Sequence, residues 1–130
     1  MRRHIKTLNA AALMLGLAGI ASAAETSLLP LEPGTYVVSS FKPCQQAPLA
    51  AAVQFDGLSF SGPHASDCTS SILAHQDTTY QVATECRALG DGTPAKPVKL
   101  VESFRIASPT HFEKLGQGAQ GEYERCPSFR

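Results

Sequence analysis

The chain has 130 residues, enough for one domain. With 17% charged residues, 43% hydrophobic residues and a formal charge of zero, it is not a disordered charged tail, a collagen-like chain or a nucleic-acid binder working through net positive charge. Those averages merge two unlike segments.

The first segment reads MRRHIKTLNAAALMLGLAGIASAAE. Arg2, Arg3 and Lys6 make a positive start. Residues 10–20 form an apolar run long enough for the hydrophobic centre of a signal peptide and too short to cross a bilayer. Ala21-Ser22-Ala23 supplies the small residues that signal peptidase requires. The expected division is a signal peptide over 1–23, cleaved after Ala23 with Ala24 as second choice, and a single β domain over 24–130. The protein is then periplasmic or secreted. The Arg2-Arg3 pair raises twin-arginine export, but its flanks fit that signal poorly and Sec export is favoured. No cysteine stands directly after the apolar run, and no second long apolar run exists, so neither a lipid anchor nor a membrane span is expected.

Cleavage removes three of the 11 basic residues and none of the 11 acidic ones, leaving 8 against 11 and a net charge of −3. Cys44, Cys68, Cys86 and Cys126 all remain. Four widely spaced cysteines in an oxidising compartment read as two disulfides. A metal site is disfavoured, because there is no C-x-x-C pair and no histidine at zinc-ligand spacing. Sequential pairing, Cys44–Cys68 with Cys86–Cys126, is the favoured connectivity, although a simple meander would put Cys126 at the opposite rim from the other three. The competing connectivity joins Cys68 to Cys86 and Cys44 to Cys126. It follows if CTSSILA and TTYQVATEC are two arms of a hairpin with a three-residue turn at Gln76–Thr78, which sets Cys68 opposite Cys86 and Ile72 opposite Val82.

The domain shows short β-type runs punctuated by Gly, Pro and Asp and no sustained helical period. Pro30, Pro33 and Gly34 lead into a strand from Gly34 to Phe41, closed by Lys42-Pro43. The longer connection from Phe41 to Val53 has room for one helical turn in its alanines, Ala47 and Ala50 to Ala52. Ala52–Phe55 and Leu58–Ser61 flank Asp56-Gly57, the signature of a type I′ hairpin turn. Gly62 to Asp67 reads as a loop. Tyr80, Val82, Thr84 and Cys86 share one strand face. The run Lys96 to Ser108 alternates best, with Val98, Leu100, Phe104 and Ile106 on one side and Lys99, Ser103 and Arg105 on the other. Glu102 falls on the apolar side; a bulge or strand-end position is favoured over a buried acid paired with a base. Two further strands run from His111 to Leu115 and from Glu122 to Cys126. The expected fold is all-β: an antiparallel meander of about eight strands, closing as a barrel or folding as a two-layer sandwich.

No coherent catalytic constellation emerges. Gly116-Gln117-Gly118-Ala119-Gln120-Gly121 fits G-x-G-x-x-G, but a strand follows where a dinucleotide site needs a helix, so a hairpin loop is expected. Ser39-Ser40-Phe41-Lys42 fits S-x-x-K without its structural context. His64, Ser66 and Asp67 crowd one loop; they satisfy a triad inventory without its geometry, and a metal site on His64 and Asp67 is disfavoured. Phe60, Phe112 and Tyr123 lie near loops, though the core is the default place for aromatics in a small domain.

In length and architecture the chain resembles bacterial periplasmic inhibitors of lysozymes and of secreted metalloproteases, which are small eight-stranded barrels behind a signal peptide. No diagnostic motif supports the resemblance: Ser61-Gly62-Pro63-His64 departs from the lysozyme-inhibitor S-G-x-G segment, so no functional residue is carried over. The functional expectation is a non-enzymatic exported binding protein, an inhibitor of or protective factor against a secreted hydrolase. Gly62, Pro63, His64, Ser66 and Asp67 form the expected partner-binding loop. No cofactor, metal or nucleic acid is expected; the partner is a secreted or periplasmic protein. The alternatives are a structural envelope domain and a carrier of a small apolar ligand inside the barrel.

Overall fold

The computed structural model describes Gly19 and residues 26–129. The expected signal segment, Gly19 apart, lies outside the described residues. The rest is all-β, with eight antiparallel strands: β1 Gly34–Val38, β2 Ala52–Phe55, β3 Phe60–Ser61, β4 Ala65–Gln76, β5 Thr79–Leu89, β6 Pro94–Ser108, β7 His111–Lys114 and β8 Glu122–Arg125. Their order is β3-β2-β1-β8-β7-β6-β5-β4. Between the outer members, Phe60 N–H donates to Ser70 Oγ at 3.1 Å and Gly62 bridges Ala65, which nearly closes the sheet into a barrel.

Alternation explains what fills it. Tyr36, Phe55, Phe60, Phe104, Phe112 and Tyr123 are buried. Phe112 lies at the centre, 5.2 Å from Tyr36, 5.5 Å from Phe104 and 5.0 Å from Tyr123 between ring centroids. Edge-on and offset ring packing of this kind adds to the apolar burial. Phe60, Phe112 and Tyr123 are therefore core residues, as the default expected. Burial pushes the Tyr36 hydroxyl up to about 12, and that hydroxyl donates towards the carbonyls of Glu32 and Pro109.

One end of the barrel is plugged. Leu28 N–H donates to Gly57 O and Glu32 N–H to Pro109 O, which holds Leu29 and Leu31 buried beneath the β2–β3 and β6–β7 turns. Val37 points outward by alternation yet is buried. The β1–β2 connection supplies its cover: Phe41, Cys44, Ala47 and Ala51 join the same apolar cluster. That connection contains two 3-10 turns, Cys44–Gln46 and Leu49–Ala51, where one helical turn was expected.

The disulfides are Cys44–Cys126 and Cys68–Cys86, so the favoured sequential pairing is wrong. Two features decide it. The β1–β2 connection folds back over the outside of the barrel and does not stop at a rim. β8 pairs with β1 (Tyr36↔Arg125), so Cys126 N–H donates to Thr35 O and Cys126 comes beside Cys44.

Cys68 faces Cys86 and Ile72 faces Val82 in the β4–β5 ladder. The turn is tighter than expected, Gln76 pairing with Thr79 and Asp77 adopting φ 52°. A bulge between Ile72 and Ala74 absorbs the extra residue and restores the expected register. Beyond it, the rings of His75 and Tyr80 stack at 4.0 Å.

The Asp56-Gly57 turn is not type I′. Only Gly57 has positive φ, at 99°. The Asp56 carboxylate instead accepts the N–H groups of Leu58 and Ser59 at 2.8 and 2.7 Å, organising a four-residue connection. Those two hydrogen bonds hold the Asp56 carboxyl below its usual range.

Candidate functional site

The end of the barrel opposite the plug is open. β4, β5 and β6 run past the short strands β2, β3 and β7 and stand as a wall on one side. Facing them are Val53, Phe60 and the turn from Gly62 to Ala65. The space between is a cavity of about 240 Å³ lined by Val53, Phe60, Cys86, Val98, Leu100 and Phe104, with Thr84, Glu102 and Lys114 among its few polar groups. Phe60 and Phe104, stacked at 4.9 Å, form the join between core and mouth.

The mouth exists because the apolar alternation of β6 outruns the barrel. Phe104 and Ile106 are buried, whereas Val98 and Leu100 on the same face are 66% and 55% exposed. Sequence parity assigned all four to one face correctly. Which of them would be covered depends on β7, and β7 pairs β6 only from Phe104 to Ser108.

Glu102 corrects another expectation. It sits opposite Val82 in an unbroken stretch of ladder, not at a bulge or strand end. It is an inward acid paired with a base. Lys114 Nζ lies 3.2 Å from Glu102 Oε2, their side chains 15% and 22% exposed respectively, and 5.3 Å from the centroid of the Tyr123 ring. The pair tolerates partial burial because each charge has its counter-charge and the ammonium also faces an aromatic ring. A lysine on the short strand opposite was the missing clue; sequence separation alone did not place it beside Glu102.

The expected partner-binding segment divides in two. Gly62 and Pro63 belong to a tight turn, with Gly62 N–H donating to Ala65 O at 3.1 Å. His64 is exposed on the rim of the mouth. Ser66 and Asp67 are not loop residues: they stand in β4, where Ser66 pairs with Ala88 and its hydroxyl donates to Leu89 O. The ladder captures them because the turn before β4 closes earlier than expected. Asp67 is exposed with φ 52°. The turn is also wedged against its neighbour: a Cβ on Gly90 would collide with Pro63 O. The Cys68–Cys86 bridge fixes the first two strands of the wall, and Cys86 lines the cavity.

The Gly116–Gly121 motif is the β7–β8 connection, ending in a 3-10 turn at Gly118–Gly121 and passing into β8. Ser39 follows β1 directly, and its N–H donates to Glu122 O at 2.8 Å. Among the described residues there is no group of three or more His, Cys, Asp or Glu able to hold a metal, and no helix is long and apolar enough to cross a membrane. The fold and site thus define a disulfide-tied antiparallel β-barrel, plugged at one end and apolar and open at the other. Compared with known proteins, the chain matches no family model, and neither a curated protein nor a solved structure shows significant similarity.

Proposed function

We propose that the protein is an exported binding module that engages a secreted or periplasmic protein, as an inhibitor of or protective factor against a secreted hydrolase. The open apolar mouth carries this reading. Folding buries a complete aromatic core yet leaves Val98 and Leu100 in water around a concave cavity. Apolar surface that a fold does not need to expose marks an interaction site. The two disulfides are compatible with an extracytoplasmic location and brace the site: one ties the wall of the mouth, the other the outer cover of the barrel.

Carriage of a small apolar ligand is the second reading, favoured by the apolar lining of the cavity. The barrel interior is occupied by its own rings, so such a ligand would be held in the mouth, where a partner's side chain fits equally well.

The test is affinity capture from the secreted and periplasmic fractions of the cells that make the protein, using the oxidised mature chain and its Leu100→Ser variant. A partner that re-forms a stoichiometric complex from pure components with the wild type and loses at least tenfold affinity for L100S supports the reading. A small molecule found by native mass spectrometry, with no protein captured, would shift it to carriage. Neither bound mass nor a partner would overturn both.

A further inference from the structure

The upper half of β6 has one side without a strand beside it. β5 pairs β6 from Arg105 back to Pro94, whereas β7 stops at Phe104. Ile106 N–H donates to Thr78 O, on the β5 side, and Leu115 N–H donates to Ser103 O, on the β7 side. By strand alternation, odd-numbered residues of β6 turn their backbone groups away from β5. The N–H and C=O of Lys99 and Val101 and the C=O of Pro97 therefore face outward along a free edge, beside the mouth.

The charge on this edge is also unmatched. Lys42, Arg87, Arg105, Lys114 and Arg125 each lie within 4.0 Å of a carboxylate. Among the described residues, Lys96 and Lys99 are the only lysines or arginines with no such partner, and both are on β6. Glu85 stands opposite Lys99 in the ladder, but Arg87 holds its carboxylate at 3.0 Å.

We infer that β6 from Pro97 to Val101 accepts an extended segment of the partner protein as an added strand, apolar side chains entering the mouth and an acidic one beside Lys99. This rests on reading the mouth as a partner-binding surface, and it specifies how the partner is held. Backbone pairing supplies affinity and alternate side chains supply selectivity. Five residues at about 3.3 Å each give a docking length of roughly 16 Å. The occupant is not a second copy of the chain. Antiparallel pairing of two Pro97–Val101 edges would set Lys99 directly against Lys99 of the other copy, and Pro97 cuts the ladder short; lysine and proline are what protect an edge from its own kind.

The probe is a blocked peptide alternating valine and glutamate, compared with one alternating valine and lysine, and the readout is residue-resolved amide exchange in the oxidised protein. The Lys99 and Val101 amides should exchange freely without peptide and slow at least tenfold with the valine–glutamate peptide only. Val101→Pro should abolish the effect, and Lys99→Glu, with folding verified by circular dichroism, should reverse the peptide preference. Unchanged exchange at millimolar peptide, protection elsewhere on the barrel, or protection of these amides by self-association would overturn the inference. A captured partner that is sensitive to L100S but indifferent to V101P and K99E would leave the binding function standing and remove the added strand.

Discussion

Replacing Cys44 and Cys126 together by alanine should damage the fold more than replacing Cys68 and Cys86. The first bridge spans 82 residues and the second 18. Restriction of the unfolded chain by loops of those lengths corresponds to about 4.5 and about 3.2 kcal/mol respectively. Packing widens the gap. Cys126 is buried and Cys44 packs against the core, whereas Cys68 and Cys86 are only half-buried, outside the core cluster, so truncating the first pair adds roughly 1 kcal/mol of lost contact. The expected losses are therefore about 5–6 and about 3 kcal/mol, against a typical domain stability of about 5–15 kcal/mol. Urea titration followed by far-ultraviolet circular dichroism separates them: the two midpoints should differ by at least roughly 1 M at an ordinary slope. Equal midpoints, or a lower midpoint for the Cys68/Cys86 variant, would refute the idea that Cys44–Cys126 anchors the outer cover of the barrel.

Three other outcomes follow from single sites. Phe112→Ala removes the ring at the centre of the aromatic cluster and should cost about 3–5 kcal/mol in urea unfolding, with loss of near-ultraviolet signal; a loss below 1 kcal/mol would contradict its central place. Glu102→Ala should cost about 1–2 kcal/mol by leaving the Lys114 ammonium half-buried and unpaired, whereas Glu102→Leu with Lys114→Met should recover most of it; a double variant as unstable as the single one would show that the pair acts otherwise. The Asp56 and Glu124 carboxyls are held below their usual range, Asp56 by the Leu58 and Ser59 N–H groups and Glu124 chiefly by Lys42. The unfolded chain then takes up protons first as pH falls, so their stabilisation is complete above about pH 5 and is lost progressively as pH falls from there through the lower, folded-state values. Thermal melts from pH 6 to pH 2 should show a smaller drop for Asp56→Asn than for wild type, and identical drops would exclude the Asp56 contribution.

Local alternation carried most of the fold. The facing of Val98, Leu100, Phe104 and Ile106, and the pairing of Cys68 with Cys86 as one of two alternatives, were legible from period-two spacing. The register was right although the turn was wrong, because the bulge after Ile72 adds back the residue that the tighter turn omits. What escaped were features set by distant strands. β3 is two residues long, so where the barrel nearly closes, and the pairing of β1 with β8, left no local trace. Without that pairing Cys126 had no reason to meet Cys44. Leu29 and Leu31 lie outside any strand, so their role as a plug was invisible to alternation. The mouth was hidden for a related reason: Leu100 and Phe104 look alike in sequence, and only the end of β7 makes one of them surface. Gly62, Pro63 and His64 at the mouth are the part of the candidate site that the loop reading located, while Ser66 and Asp67 were drawn into β4.

The most direct measurement of the central claim is the affinity of the oxidised protein for its captured partner, determined by calorimetry for the wild type and for Leu100→Ser, with circular dichroism verifying equal folding. The expected result is a one-to-one complex whose heat-capacity change is negative, as burial of an apolar surface requires, and an affinity loss of at least tenfold in the variant. Equal affinity of the two proteins would place recognition away from the mouth and contradict it.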